Sequence, residues 1–119
     1  MMTTRTSWKD HGVGLLLCVS YVLAPFATAD DIGMSRDESF YVHAAHQYGA
    51  WFERAWESPS EAFTRDAITQ GWQYNNEHPA LIKSLFAWSY LAHANWDLFP
   101  NESMAHRFPA MVSAGLLLW

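Results

Sequence analysis

The apolar positions of this chain change period along its length. Residues 12–29 form a charge-free block of about 18 residues. As a helix this block is about 27 Å long, close to the thickness of a bilayer core. Its one proline, Pro25, is tolerable in a membrane helix. From Ser35 onward the pattern becomes amphipathic. Ser35 with Glu38 three residues on has the form of a capping box. Tyr41, Ala44, Ala45, Tyr48, Phe52 and Ala55 then recur at helical spacing, up to about Trp56. Ser58, Pro59 and Glu61 signal a second start, leading a short helix that ends near Gly71. A third helix follows Pro79, from Ala80 to about Ala94. It is apolar around most of its circumference, with Lys83, Ser84, Ser89 and His93 as the polar remainder. Such a helix belongs against other helices or in the plane of a membrane interface. Residues 95–101, with Pro100, read as a turn, and residues 108–119 are a last run without charge. No strand pattern, repeat or low-complexity tract interrupts this layout.

The pattern predicts an all-α membrane protein. Residues 1–11 lie in the cytoplasm and residues 12–29 cross the bilayer. Residues 30–107 form an outer loop carrying surface helices, and residues 108–119 begin a second span that is cut short. Arg5 and Lys9 against Asp10 make the N-terminal flank slightly basic, while residues 30–107 hold eleven acidic and five basic residues. That bias puts the N-terminus inside and the acidic loop outside, as in the inner membrane of a bacterium. Ala27, Thr28 and Ala29 also have the small-x-small form of a signal-peptide cleavage site. Cleavage there would give a secreted helical binding module of about ninety residues with an exposed apolar tail. The second apolar run tips the balance toward a membrane protein. A third reading is a non-catalytic membrane adaptor.

Composition sharpens this in three respects. The chain has 119 residues, half of them hydrophobic, and seven are Trp. That aromatic load suits a membrane interface, where Trp and Tyr concentrate. A net charge of −5 gives nucleic acid no electrostatic purchase. The lone cysteine, Cys18, sits inside the first apolar block and reads as a small hydrophobe.

Three polar clusters remain. Asp37 and Glu38 are followed by Phe40 and Tyr41. Asn75, Asn76, Glu77, His78, Pro79, Ala80, Leu81, Ile82 and Lys83 make the second. Glu102, His106, Arg107 and Pro109 mark the third, at the entry to the last apolar run. Their order, spacing and membrane context resemble the dolichyl-phosphate-mannose protein mannosyltransferase family and its bacterial relatives, which have the GT-C architecture. That family carries an Asp-Glu pair with an aromatic in its first outer loop and a His-Pro-Pro-Leu-x-Lys-like motif before a surface helix. An acidic residue, an Arg and a Pro often enter its second span. Here Ala80 replaces the second proline of the His-Pro-Pro motif. The family also needs many further spans, so the resemblance implies the front part of a longer enzyme.

The resemblance implies transfer of a mannose-like sugar from a polyprenyl-phosphate donor to a protein, lipid or glycan acceptor, with inversion. Asp37 matches the position of the catalytic carboxylate, and Glu38 is its companion. As an alternative, Asp37 favours a helix N-terminus and Glu38 completes the capping box. Glu77 and His78 match the rim of the donor site, or else cap the following helix. Lys83 and Arg107 are the cations nearest the motifs, and Arg107 with its planar fork is the better phosphate ligand. Their alternative is ordinary pairing with carboxylates or headgroups. His43 and His46, at i and i+3, have a spacing that can hold a metal. Interfacial side chains are the favoured reading, and no metal or other cofactor is expected. Trp51, Trp56, Trp72, Trp88 and Trp96 are read as interface anchors and packing residues.

Overall fold

The computed structural model describes residues 6–119, the side chain of Asp30 apart, so Arg5 of the basic flank lies outside the described residues. Among the described residues the regular structure is helical, with no strand. Helix α1 spans Trp8–Thr28 and ends in a 3-10 turn, Ala29–Asp31. Then come α2 (Arg36–Glu57), α3 (Pro59–Ala62), α4 (Arg65–Trp72), α5 (Ala80–Trp96) and α6 (Glu102–Leu118).

Each boundary has a local cause. The Ser7 backbone N–H donates to the Asp10 carboxylate at 2.6 Å, so α1 starts four residues before the charge-free block. The Ser35–Glu38 capping box opens α2 as expected: Ser35 Oγ accepts from the Glu38 N–H at 3.2 Å and Glu38 accepts from the Ser35 N–H at 3.0 Å. The single helix expected after Pro59 is two, because Thr64 caps a fresh start by accepting from the Ala67 N–H. The last helix begins at Glu102 rather than at Phe108. Asn101 caps it by accepting from the Met104 N–H at 2.9 Å, which leaves Pro109 inside the helix.

Helices α1 and α6 run antiparallel in close contact, through small residues. A Cβ added to Gly14 would lie 2.8 Å from the Trp119 ring, and one added to Gly115 would lie 2.7 Å from Val22 and 3.1 Å from the Cys18 carbonyl. Such stripes let two backbones approach, a common device in membrane helix pairs. Toward the loop end of the pair, Ala29, Met104 and Met111 pack together with Phe26 and Phe99. The opposite face of α1 is open: Val13, Leu15, Leu16, Leu17, Val19 and Leu23 are exposed. Helix α1 is long and apolar enough to cross a membrane.

A second core joins α2 to α5 and α4 through Ala45, Tyr48, Phe86 and Ala87, flanked by Phe52, Trp72 and Ile82. The tryptophans divide in function here. Trp51 packs edge-on against Phe63 and Trp72 and donates from Nε1 to the Ala62 carbonyl at 3.1 Å. Trp56, Trp88 and Trp96 are exposed. Helix α5 turns two of its polar residues inward while large apolar ones face out, contrary to the usual pattern in water. Lys83 is 0% exposed and Ser89 is buried, while Leu81 is 73% and Trp88 64% exposed.

Candidate functional site

The first turn of α2 and the loop before α5 enclose a cleft of about 550 Å³, lined by Asp37, Tyr41, Tyr74, Asn75, Glu77 and His78, with Phe40 beside them. It joins residues of the first and second sequence clusters. Helix α2 places Asp37 and Tyr41 one turn apart on one face, which is why both reach the cleft. Tyr41 packs edge-on against His78, with Oη 3.5 Å from Nδ1, and against Phe86 of the core. Asp37 is exposed, and its carboxylate has no hydrogen bond or ion pair among the described residues. Neither Glu77 nor His78 caps α5, whose N-terminus has no side-chain cap.

The far wall of the cleft is held by Lys83. Asn75 takes the left-handed conformation (φ 54°), which Asn tolerates better than most residues. That turns its carbonyl toward α5, where it accepts from the Lys83 ammonium and from the His78 N–H. The ammonium also lies 5.2 Å from the centre of the Tyr48 ring. The phosphate contact expected of Lys83 is not formed by this arrangement of the side chain. Fully buried and committed to Asn75 and Tyr48, it shapes the loop and presents no charge to a ligand.

Glu38 turns away from Asp37. Its Oε1 accepts from Arg107 Nε at 2.5 Å and its Oε2 from Arg107 Nη2 at 3.1 Å, a two-point pair of the kind that holds best. Arg107 also donates to the carbonyls of Ala29 and Gly33. One guanidinium thus ties α6, α2 and the segment after α1 together, and it joins the third cluster to the first. The Arg107 hydrogen bonds hold the Glu38 carboxyl below its ordinary range, against a smaller opposing effect of burial. Arg107 and Glu38 thus tie the helices together, and both also line a second cavity of about 680 Å³ with Tyr21, Pro25, Ile32 and Met111.

Beyond this clasp, His46 of α2 meets Glu102 and His106 of α6, whose ligand atoms lie within 4.8 Å of one another. His43 takes no part and packs instead on Tyr74. Burial, the largest single influence on Glu102, raises its pKa, but the hydrogen bonds and charges of His46 and His106 together outweigh it and lower the value. Burial lowers that of His106, against the pull of Glu102. His106 stood in the third sequence cluster without a role, and Tyr74 was not singled out. The i, i+4 spacing of Glu102 and His106 was the available signal for the first, while Tyr74 had none. No family model, curated protein or solved structure matches the chain.

Proposed function

We infer that the chain supplies the anchored front part of a membrane glycosyltransferase, one that moves a sugar from a polyprenyl-phosphate donor to an acceptor hydroxyl outside the membrane. The observation that carries this reading is the cleft, where Asp37 meets Tyr41, Glu77 and His78 across about forty residues of sequence. The open apolar face of α1 and the outward Leu81 and Trp88 of α5 support a lipid setting. Where α1 is retained, Ala29, which is 2% exposed and gives its carbonyl to Arg107, ties its end to α6.

In this mechanism the acceptor oxygen attacks the anomeric carbon as the bond to the phosphate oxygen breaks, and the electron pair leaves with the phosphate. Asp37, exposed and unpaired, takes the acceptor proton. Lys83 and Arg107 are engaged elsewhere, so His78 is the cleft residue positioned to donate a hydrogen bond to the departing phosphate. Glu77 lies on the donor rim, and the loop held by Lys83 fixes both. The test is transfer from a polyprenyl-phosphate sugar by membranes carrying the complete gene product, with and without Asp37→Asn. The 119-residue chain alone is expected to be inactive, because the resemblance implies further spans around the site.

A further inference from the structure

We propose that His46, Glu102 and His106 form a binding site for one divalent transition-metal ion of the zinc type, clamping α2 to α6. The residues come from two helices and meet across 56 positions of sequence: His46 Nε2 is 2.5 Å and His106 Nε2 3.4 Å from the same oxygen, Glu102 Oε1. Two imidazoles and one carboxylate make a donor set that suits zinc, with a fourth position left for water. Calcium and magnesium prefer all-oxygen shells and do not fit.

All three ligand atoms lie within 4.8 Å of one another, and two of the three separations can be set against what an ion needs. Ligand atoms about 2.0–2.1 Å from a tetrahedral zinc lie roughly 3.3 Å apart. The Glu102–His106 separation already has this value. His46 and Glu102 must part by less than about 1 Å, and both side chains are free enough to do so, at 42% and 45% exposed. Their exposure also gives the ion its route of entry. His106 is the fixed member, at 4%. Its Nδ1 is buried without a partner, so Nε2 is the ring atom that meets another polar group.

Tyr90 of α5 orders both rings from behind. Its ring centre is 4.3 Å from that of His46, and it lies nearly parallel to His106 at 5.9 Å. The neighbouring Arg107–Glu38 pair already joins the same two helices, so the framework stands in place for an ion to lock. Asp37 is nine residues from His46, about 13 Å along α2. The ion is thus a clamp beside the cleft and has no direct part in proton transfer there. This site stands independently of the transferase reading.

The test is zinc binding by the full chain in detergent, without a histidine tag, by titration calorimetry and thermal unfolding. One equivalent of zinc should bind and raise the melting temperature saturably, by roughly 10 °C at a hundredfold excess over Kd. His46→Gln and Glu102→Gln change half-exposed side chains and should fold. Each should weaken zinc binding at least ~100-fold, since losing even an outer partner costs 10–100-fold. His43→Gln, one turn away, should bind zinc like the wild type, and tetrahedral cobalt should give visible bands only where His46 and Glu102 are intact. Absence of one-equivalent binding, or equal loss in His43→Gln, or unchanged affinity in both cluster variants, would overturn the site.

Discussion

Asp37 and Glu38 are adjacent in sequence but do different work in this fold, so their isosteric amides should fail in different assays. Glu38→Gln leaves the side chain's shape but removes its charge. One carboxylate oxygen becomes an NH2 facing a guanidinium N–H, and the hydrogen bonds to Arg107 and Ser35 cannot all be kept. Charge-assisted hydrogen bonds contribute roughly 1.5–3 kcal/mol and neutral ones roughly 0.5–1.5. The pair is only partly buried, with Glu38 at 27% and Arg107 at 13% exposed, so solvent screening trims the difference. A loss of about 1–2 kcal/mol results, a five- to thirtyfold fall in the folded ratio. The melting temperature should drop by roughly 3–10 °C.

Asp37→Asn touches no partner. It gives up a favourable charge in the first turn of α2, worth about 0.5 kcal/mol or less at an exposed position. Its melting temperature should therefore stay within about 2 °C of wild type. Asn cannot accept the acceptor's proton, however, and general-base catalysis contributes about 10²–10⁴-fold. The assays are thermal unfolding in one detergent and sugar transfer by membranes carrying the complete gene product. If Asp37→Asn keeps more than about a third of wild-type turnover, Asp37 is a helix-end charge and the catalytic reading fails. If Glu38→Gln melts with the wild type, the Arg107 clasp is not holding the fold.

The clasp also predicts a pH dependence. Glu38 is more acidic in the fold than its ordinary value of 4.5, because Arg107 stabilises the carboxylate. Below that value the unfolded chain takes up a proton that the folded chain resists, so the contribution is complete above about 4.5 and is lost as pH falls through the folded value. The gap in melting temperature between wild type and Glu38→Gln should close on acidification; a gap unchanged at pH 3 or below would refute the pairing. Gly71→Ala sets a Cβ 2.7 Å from Trp51 Cδ1 and 3.0 Å from its Cβ, and should destabilise by about 1–3 kcal/mol in the same thermal assay. N-terminal sequencing of the membrane-extracted protein should find α1 retained, and a chain beginning at Asp30 would sink the anchor.

How far the sequence could be read depended on the range of the interactions involved. The start of α2 was legible because Ser35 and Glu38 cap within one turn, and the start of α5 because Pro79 cannot continue a preceding helix. The Thr64 break and the Asn101 start were present as local cap signals but were outweighed by the apolar periodicity around them. Lys83 illustrates what no local pattern carries. Its burial depends on Tyr48 and on the left-handed carbonyl of Asn75, both brought to it by the fold. The same holds for Arg107, 69 residues from Glu38, and for His46, 56 residues from Glu102.

A common consequence follows for the three polar clusters. The first two each contribute one kind of residue that faces the cleft and one kind that holds the fold together. In the first cluster Asp37 lines the cleft while Glu38 is clasped, and in the second Glu77 and His78 line it while Lys83 is buried. The cations nearest to the motifs on a linear map, Lys83 and Arg107, are those that bind the fold's own carbonyls and carboxylate. In the proposed reaction a donor phosphate would then be met in the cleft chiefly by hydrogen bonds from His78 and Tyr41. His78→Ala should therefore impair transfer more than Lys83→Met impairs it at matched folded protein, the reverse of the order expected from charge alone.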